Sequence, residues 1–461
     1  MTAALRTDVL ARFPGARADA AALARGRTDR SGTPGTADPI AVVSAASVDE
    51  VRAVLAWAHE HRVPVVPRGA GTGLAGGAVA DGALVLDVSG MRRIIRIDPV
   101  EELAVVEPGV LTADLDAAAA EHGLMYAPDP ASAAISTIGG NIATNAGGMR
   151  CVKHGVTRDA VLGLEVVLAD GRLLRTGRAT AKGVVGYDLT ALLVGSEGTL
   201  GVVVGATLRL RPRPHVGGTV LATYPDVETA ARACSRVGAA RLRPSLLELI
   251  DAATLAAVAD HTGTAALAAG AAVVAQTDGA DAATATTELT AVAAVLREGA
   301  DTLEQGDDPD RADELLTARR LALPAIEARG HALIEDICVP RARLAEAVRG
   351  IEAIVAATGV PIYTFAHAGD GNLHPIVTWP RTAEGSGATT GTERPAAVDD
   401  AAGRIFELAV ALGGTLSGEH GVGTLKRAYL GLELEPDVLD VQRAVKAALD
   451  PRGILNPGKA I

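Results

Sequence analysis

The residues best suited to chemistry lie in the stretch YTFAHAGDGNLHP at residues 363–375, where His367 and His374 flank a Gly-Asp-Gly turn. Glycine reaches positive φ without steric cost and aspartate closes turns through its side chain, so this core predicts a hairpin with both imidazoles near each other. Taken alone, such a turn could equally carry two structural histidines. A second reactive pair, Glu419 and His420, follows inside the glycine-rich run 413–423. Adjacent side chains of an extended segment point to opposite faces, which predicts different tasks for the two. Two histidines and one carboxylate form a ligand set suited to zinc, manganese or iron with positions open for substrate, leaving His420 as a base. The alternative is a structural Glu-His pair on a glycine-rich turn.

The elements that must position these residues can be read in chain order. Ser47 and Glu50 form a capping-box pattern before Val51, Val54, Leu55 and Ala58, predicting a helix of about four turns. It runs into a short β-rich segment at 63–67 and then into RGAGTGLAGG at 68–77. Gly71, Gly73 and Gly76 spell G-x-G-x-x-G, but a dinucleotide site of that type needs a helix next, and here a strand is predicted at 83–88. The loop still suits a phosphate, because successive N–H groups without Cβ atoms can form an anion nest. A nicotinamide dehydrogenase is thereby disfavoured.

A second unusual segment, PDPAS at 128–132 followed by STIGGNIATNAGG at 136–148, suits a backbone that passes close to a large planar ligand while donating hydrogen bonds. Its four glycines weaken any regular element. Residues 112–123 predict a short helix, 162–176 a hairpin turned at Asp170 and Gly171, 188–194 a short helix and 202–210 a strand after the third glycine turn at 195–201. Arg211-Pro212-Arg213-Pro214 marks a boundary, after which alanine-rich amphipathic helices alternate with strands to about residue 410. The polar tract 380–395 reads as a mobile insertion, and 436–449 as the last helix.

At 461 residues the chain predicts two or three domains. A net charge of −12 without a dense basic patch argues against nucleic-acid binding. Three widely spaced cysteines predict neither a disulfide framework nor a thiolate metal site, and no Fe–S motif is present. The N-terminal stretch lacks an apolar core, and no run is long enough to span a bilayer, so a cytoplasmic protein is expected, with peripheral contact to the inner face of a membrane allowed.

PRGAGTGLAGG, PDPAS, STIGGNIATNAGG, GSEGTLG, FAHAGDGNLHP, SGEHGVG and LNPGK occur in this order. In this the chain resembles FAD-linked 2-hydroxy-acid dehydrogenases: cytochrome-type D-lactate dehydrogenases, the glycolate oxidase D subunit and D-2-hydroxyglutarate dehydrogenases. The resemblance runs from about Asp38 to the C-terminus. It implies an α+β protein with a vanillyl-alcohol-oxidase (PCMH-type) FAD-binding fold. Two α+β subdomains, residues 1–212 joined by 411–461, would hold FAD, and an α+β cap at 213–410 would cover the substrate. By motif match Pro67, Arg68, Gly69, Ala70, Gly71, Thr72, Gly73, Gly76 and Gly77 would wrap the pyrophosphate. Pro128, Asp129, Ser132, Thr137, Gly140, Asn141, Thr144 and Gly148 would line the flavin, with Glu197, Gly198 and Val203 near the adenosine half and Asn456 reaching in from the tail. No histidine lies in 67–77, so the FAD is expected to be non-covalent.

The same match implies His367, His374 and Glu419 as ligands of a divalent metal, zinc first and manganese or iron next. It implies His420 as the proton acceptor, Asn372 as a contact to substrate or metal shell, and Arg319 as the carboxylate-binding arginine, with Arg320 as a neighbouring competitor. The hydroxyglutarate enzymes have a lysine where this chain has Ile334-Glu335, which favours a monocarboxylate such as D-lactate or glycolate. Electrons would pass to an external cytochrome, quinone or electron-transfer flavoprotein. A homodimer, and a flavoprotein subunit active only within an assembly, are both compatible.

Overall fold

The computed structural model describes residues 2–180, 182–264, 270–306, 308–381 and 394–461, so most of the tract read as a mobile insertion lies outside the described residues. The chain divides into two units, Met1–Gly148 with Gly155–Arg213 and Glu419–Ile461, and Met149–His154 with Pro214–Gly418.

The first unit is built on two sheets. One has the order Ala16–Arg17, Val42–Ser44, Leu84–Asp87, Val65–Arg68, its last three strands parallel. Helix Val48–His61 packs on it, Ser47 accepting from the Glu50 backbone N–H while the Glu50 carboxylate accepts from Ala46 N–H. The Ser47 half is the cap read from the sequence, while the Glu50 carboxylate returns one residue earlier than a capping box would, to Ala46 rather than Ser47. Val51, Val54, Leu55 and Ala58 enter one core with Val65, Leu84 and Leu86, so the helical spacing and the alternating strands bury the same face. The second sheet is antiparallel, in the order Ile94–Asp98, Leu103–Val106, Val202–Arg209, Val161–Val167, Leu173–Gly177.

Parallel neighbours need a crossover of a dozen or so residues, usually a helix. Between Val65–Arg68 and Leu84–Asp87 that crossover is the glycine-rich loop itself, with no helix in it. The C-terminal tail docks beside it. Val65 N–H donates to Ile454 O at 2.7 Å and Asn456 N–H to Val65 O at 2.8 Å, extending the sheet by a bridge.

The second unit is an antiparallel eight-stranded sheet. Its order is Thr302–Gly306, His215–Tyr224, Ala271–Gly279, Leu246–Asp251, Ile362–His367, Asn372–Trp379, His331–Ile334, with Ile337–Cys338 pairing onto Asn372–Trp379. Helices Ala252–Thr262 and Pro309–Glu327 cover the face that carries Phe365 and Ile376. The short segment Met149–His154 belongs here, since Lys153 Nζ and His154 Nε2 both reach the Asp278 carboxylate, at 2.6 and 2.8 Å. A sequence boundary drawn only at residues 211–214 does not separate that segment.

Asp251 caps helix Ala252–Thr262 from inside this unit, accepting from Thr254 N–H at 2.7 Å and Thr364 N–H at 2.8 Å. Burial pushes its pKa up to about 6, against the opposing hydrogen bonds. A carboxyl whose folded pKa is raised binds its proton more tightly in the folded state. Stability therefore rises as pH falls through about 6 towards the unfolded value of 3.8, by about 3 kcal/mol for a shift of roughly two units. Asp251→Asn is expected to abolish this contribution: the difference in melting temperature between wild type and variant should change steadily from pH 7 to pH 4.5. A difference that stays flat over that window would remove the assignment.

Candidate functional site

The expected hairpin forms. Strands Ile362–His367 and Asn372–Trp379 pair antiparallel, with His367 opposite Asn372 and Phe365 opposite His374. Opposed residues share a face and successive odd positions repeat it, so all four side chains stand on one side of the sheet. The rings of His367 and His374 are 4.9 Å apart and nearly perpendicular. Gly371 makes the reversal possible: its φ is +88°, and a Cβ there would lie 2.2 Å from Val339 O.

Around this pair the second unit gathers an unusual density of buried polar groups. Glu248, on strand Leu246–Asp251, stands directly opposite His367 and accepts from its Nδ1 at 2.7 Å. Arg319, buried on helix Pro309–Glu327, donates from Nε to the other Glu248 oxygen at 2.5 Å and lies over the Phe365 ring at 4.1 Å. Arg320 is instead half exposed and paired with Asp313. Of the two neighbouring arginines, only Arg319 shares the histidine face. Asn372 is 6% exposed, and its Oδ1 has no hydrogen-bond partner among the described residues. A buried acceptor left in that state is costly unless something else supplies a donor or a cation.

The chain from Thr415 to Gly418 runs alongside. Thr415 and Cys338 exchange backbone hydrogen bonds, Ser417 Oγ donates to Asp336 at 3.0 Å, and Gly418 sits so close to Asn372 that a Cβ would come within 2.4 Å of its Oδ1. The next peptide carries Glu419. His367 and His374 stand together in the second unit as the two expected imidazole ligands, and Glu419, the expected third ligand, opens the segment that returns to the first unit.

Glu419 and His420 do not point to opposite faces as expected of an extended segment. The chain is bent here, Gly421 adopts φ +83°, and His420 Nε2 lies 3.8 Å from Glu419 Oε1.

The first unit assembles the other predicted residues into a cradle. Gly71 and Gly76 take φ of +74° and +80°. Arg68 turns inward rather than outward, donating to Thr28 O and Ala78 O, and its guanidinium lies where a Cβ on Gly71 would be. These bonds make Arg68 a brace that stiffens the loop. Thr137 and Gly69 touch closely enough that no Cβ fits between them, and Thr137 Oγ1 caps the short helix Ile138–Thr144. That helix was not expected from a glycine-weakened segment; Gly139 is required because its Cα packs on Pro108. Asn141 faces inward, donating to Thr112 Oγ1 at 2.6 Å, and Thr144 Oγ1 bonds Gly140 O. Gly148 backs onto Asp129.

Glu197 is a second brace. Its carboxylate accepts from Val422 and Gly423 N–H at 2.8 and 2.7 Å, burial raising its pKa against those hydrogen bonds. Gly198 abuts Pro67, and Asn456 Nδ2 donates to Gly77 O and Glu197 O. The structure thus joins the loop 67–77 to Thr137, Gly198 and Asn456. Ser132 remains in its own turn, bonded through its carbonyl to Ile135 and Ser136 N–H, and Val203 stays on its strand. The buried Asn456 Oδ1 lacks a hydrogen-bond partner among the described residues. Small residues and positive-φ glycines, which leave backbone N–H groups accessible, fit a phosphate-bearing cofactor laid along the cradle.

Sequence reasoning missed Glu248. The signal was present, since a carboxylate in the otherwise apolar run Leu-Leu-Glu-Leu-Ile on a buried strand is costly without partners.

Comparison with known proteins identifies the family and the fold. An FAD binding domain family matches residues 39–177, and the C-terminal domain family of FAD linked oxidases matches residues 213–460. The glycolate oxidase subunit GlcD of Bacillus subtilis is 43% identical over 91% of this chain and 88% of its own length. That of Escherichia coli K12 is 36% identical over 92% and 84%, and a D-lactate dehydrogenase of Anaerostipes hadrus 34% identical over 92% and 90%. Among solved structures, p-cresol methylhydroxylase with substrate bound superposes with a TM-score of 0.79 over 99% of this chain and 96% of that one at 17% identity, which establishes the α+β PCMH-type fold. The chain belongs to the FAD linked oxidases and is an FAD-binding oxidoreductase.

Proposed function

We propose that this chain oxidises a small D-2-hydroxy monocarboxylate, D-lactate or glycolate, to the 2-oxo acid and passes the electrons to an external acceptor. The observation that carries this reading is the face shared by His367, His374, Asn372 and Arg319, two imidazoles and an unsatisfied amide oxygen beside a buried arginine. When bound, FAD supplies a two-electron hydride acceptor and a divalent metal at His367, His374 and Glu419 supplies Lewis acidity for the hydroxyl and carboxylate. His420 takes the hydroxyl proton. Arg319 steers the substrate carboxylate towards this face, a task suited to a planar guanidinium. Asn372 contributes the remaining polar contact.

Substrate preference follows from two other buried acids of the second unit. Glu335 and Asp336 are buried near the end of strand His331–Ile334, so a second substrate carboxylate there would meet like charge. The relatives' names, glycolate oxidase subunit and D-lactate dehydrogenase, support a monocarboxylate. Anaerobic bleaching of the flavin over a panel of acids tests the reading. D-lactate or glycolate should bleach it, L-lactate should not, and D-2-hydroxyglutarate should be slower by about tenfold or more, the equivalent of about 1.4 kcal/mol. Preference for an L-acid or for the dicarboxylate would overturn the reading.

A second reading, a flavoprotein subunit of a larger electron-transfer assembly, is favoured by the word subunit in two relatives' names. Bleaching of the isolated chain without re-oxidation by an artificial dye would select it. No helix among the described residues is long and apolar enough to cross a membrane.

A further inference from the structure

Glu248 makes two contacts that nothing in the proposed reaction yet uses. It is fully buried in an apolar strand, and each carboxylate oxygen has one partner: His367 Nδ1 at 2.7 Å and Arg319 Nε at 2.5 Å. We infer that Glu248 is a positioning residue that fixes His367 as a ligand through its Nε2 and holds Arg319 on the same carboxylate, so that one buried group sets both the metal-binding and the carboxylate-binding ends of the site. The inference rests on the reading of His367 as a ligand.

An ionised carboxylate accepts hydrogen bonds and donates none, so Nδ1 of His367 must carry the proton. In the neutral imidazole the lone pair is then on Nε2. This carboxylate–histidine pairing is the usual way a protein fixes the tautomer and ring orientation of a metal ligand and raises its basicity. The backbone adds rigidity, because Glu248 and His367 are directly opposed on neighbouring strands and share a face.

Arg319 completes the charge balance. Its guanidinium lies over Phe365, whose ring is 5.3 Å from that of His374, so a positive charge stands close to both imidazoles. Unneutralised, it would oppose the entry of a cation in a weakly solvated setting. Glu248 cancels it through Nε and leaves the far end of the fork to other partners. Arg319 is thereby held for a substrate carboxylate without weakening the ligand pair.

The test uses full-length, FAD-loaded protein stripped of metal, with Zn²⁺ affinity measured by competition against a chromophoric chelator. Wild type is expected to take up one Zn²⁺, and Glu248→Gln to bind it about 10- to 100-fold more weakly with its FAD retained. Should Glu248→Gln fail to fold around an uncompensated Arg319, the paired variant Glu248→Gln with Arg319→Met restores a neutral interior and is expected to show a similar loss. Nitrogen-15 histidine spectra of metal-free wild type are expected to report His367 as the Nδ1–H tautomer. Wild-type Zn²⁺ uptake with unchanged affinity in the variants, or an Nε2–H tautomer, overturns the role of Glu248 alone. Absence of uptake by wild type overturns the metal reading together with it.

Discussion

Replacing His420 by alanine is expected to leave a folded, yellow protein whose flavin bleaches with substrate about 10²- to 10⁴-fold more slowly, the range for loss of a general base. The separation of effects follows from where the neighbouring contacts are made. Glu197 grips the chain just downstream through the backbone N–H groups of Val422 and Gly423, and Asn456 ties the tail to Gly77 and Glu197. None of these uses the His420 side chain, so these four bonds remain available when it is truncated. Thr415 and Ser417 anchor the upstream side through Cys338 and Asp336 in the same independent way. FAD content, the flavin absorption spectrum and the melting temperature should therefore match wild type, while the bleaching rate under anaerobic conditions falls. A variant that bleaches at the wild-type rate removes His420 from the proton step. One that loses its FAD shows instead that the imidazole is part of the cradle.

Local periodicity and turn chemistry made much of this protein legible. Helix Val48–His61 with its cap, the His367–His374 hairpin and the absence of a helix after Gly77 all follow from interactions within a few residues of one another. What was not legible depends on partners distant in the chain. Helix Ile138–Thr144 forms in a glycine-rich stretch because packing on Pro108 and capping by Thr137 outweigh the entropic cost of its glycines. Arg68 turns inward because its acceptors are carbonyls of Thr28 and Ala78. Segment Met149–His154 joins the second unit through Asp278, more than a hundred residues away, and the bend at Glu419 undoes the alternation expected of a strand. Glu248 belongs with these. Its partners, His367 and Arg319, arrive from two other elements, and only their convergence distinguishes it from a strand carboxylate bound for solvent.

Removing divalent metal should produce the second large effect. If His367, His374 and Glu419 hold a cation that polarises the substrate hydroxyl, the stabilisation at stake is several kcal/mol, or about three orders of magnitude in rate. Dialysis against a strong chelator is expected to silence substrate bleaching while dithionite still reduces the flavin, and added Zn²⁺ should restore the substrate reaction. Histidine and carboxylate ligands also accept Mn²⁺, so partial restoration by Mn²⁺ is consistent with the same ligand set. Glu419→Gln sharpens the experiment. The amide preserves volume but removes the one formal negative charge among the three ligands, so the variant should purify with FAD and with much less metal, and excess Zn²⁺ should recover only part of its rate. His420 follows directly in the chain, and the two variants separate their roles: metal content falls in Glu419→Gln and stays at the wild-type value in His420→Ala. Full activity in chelated protein shown to be metal-free would exclude a metal from the reaction, leaving the two histidines to act through hydrogen bonds to the substrate alone.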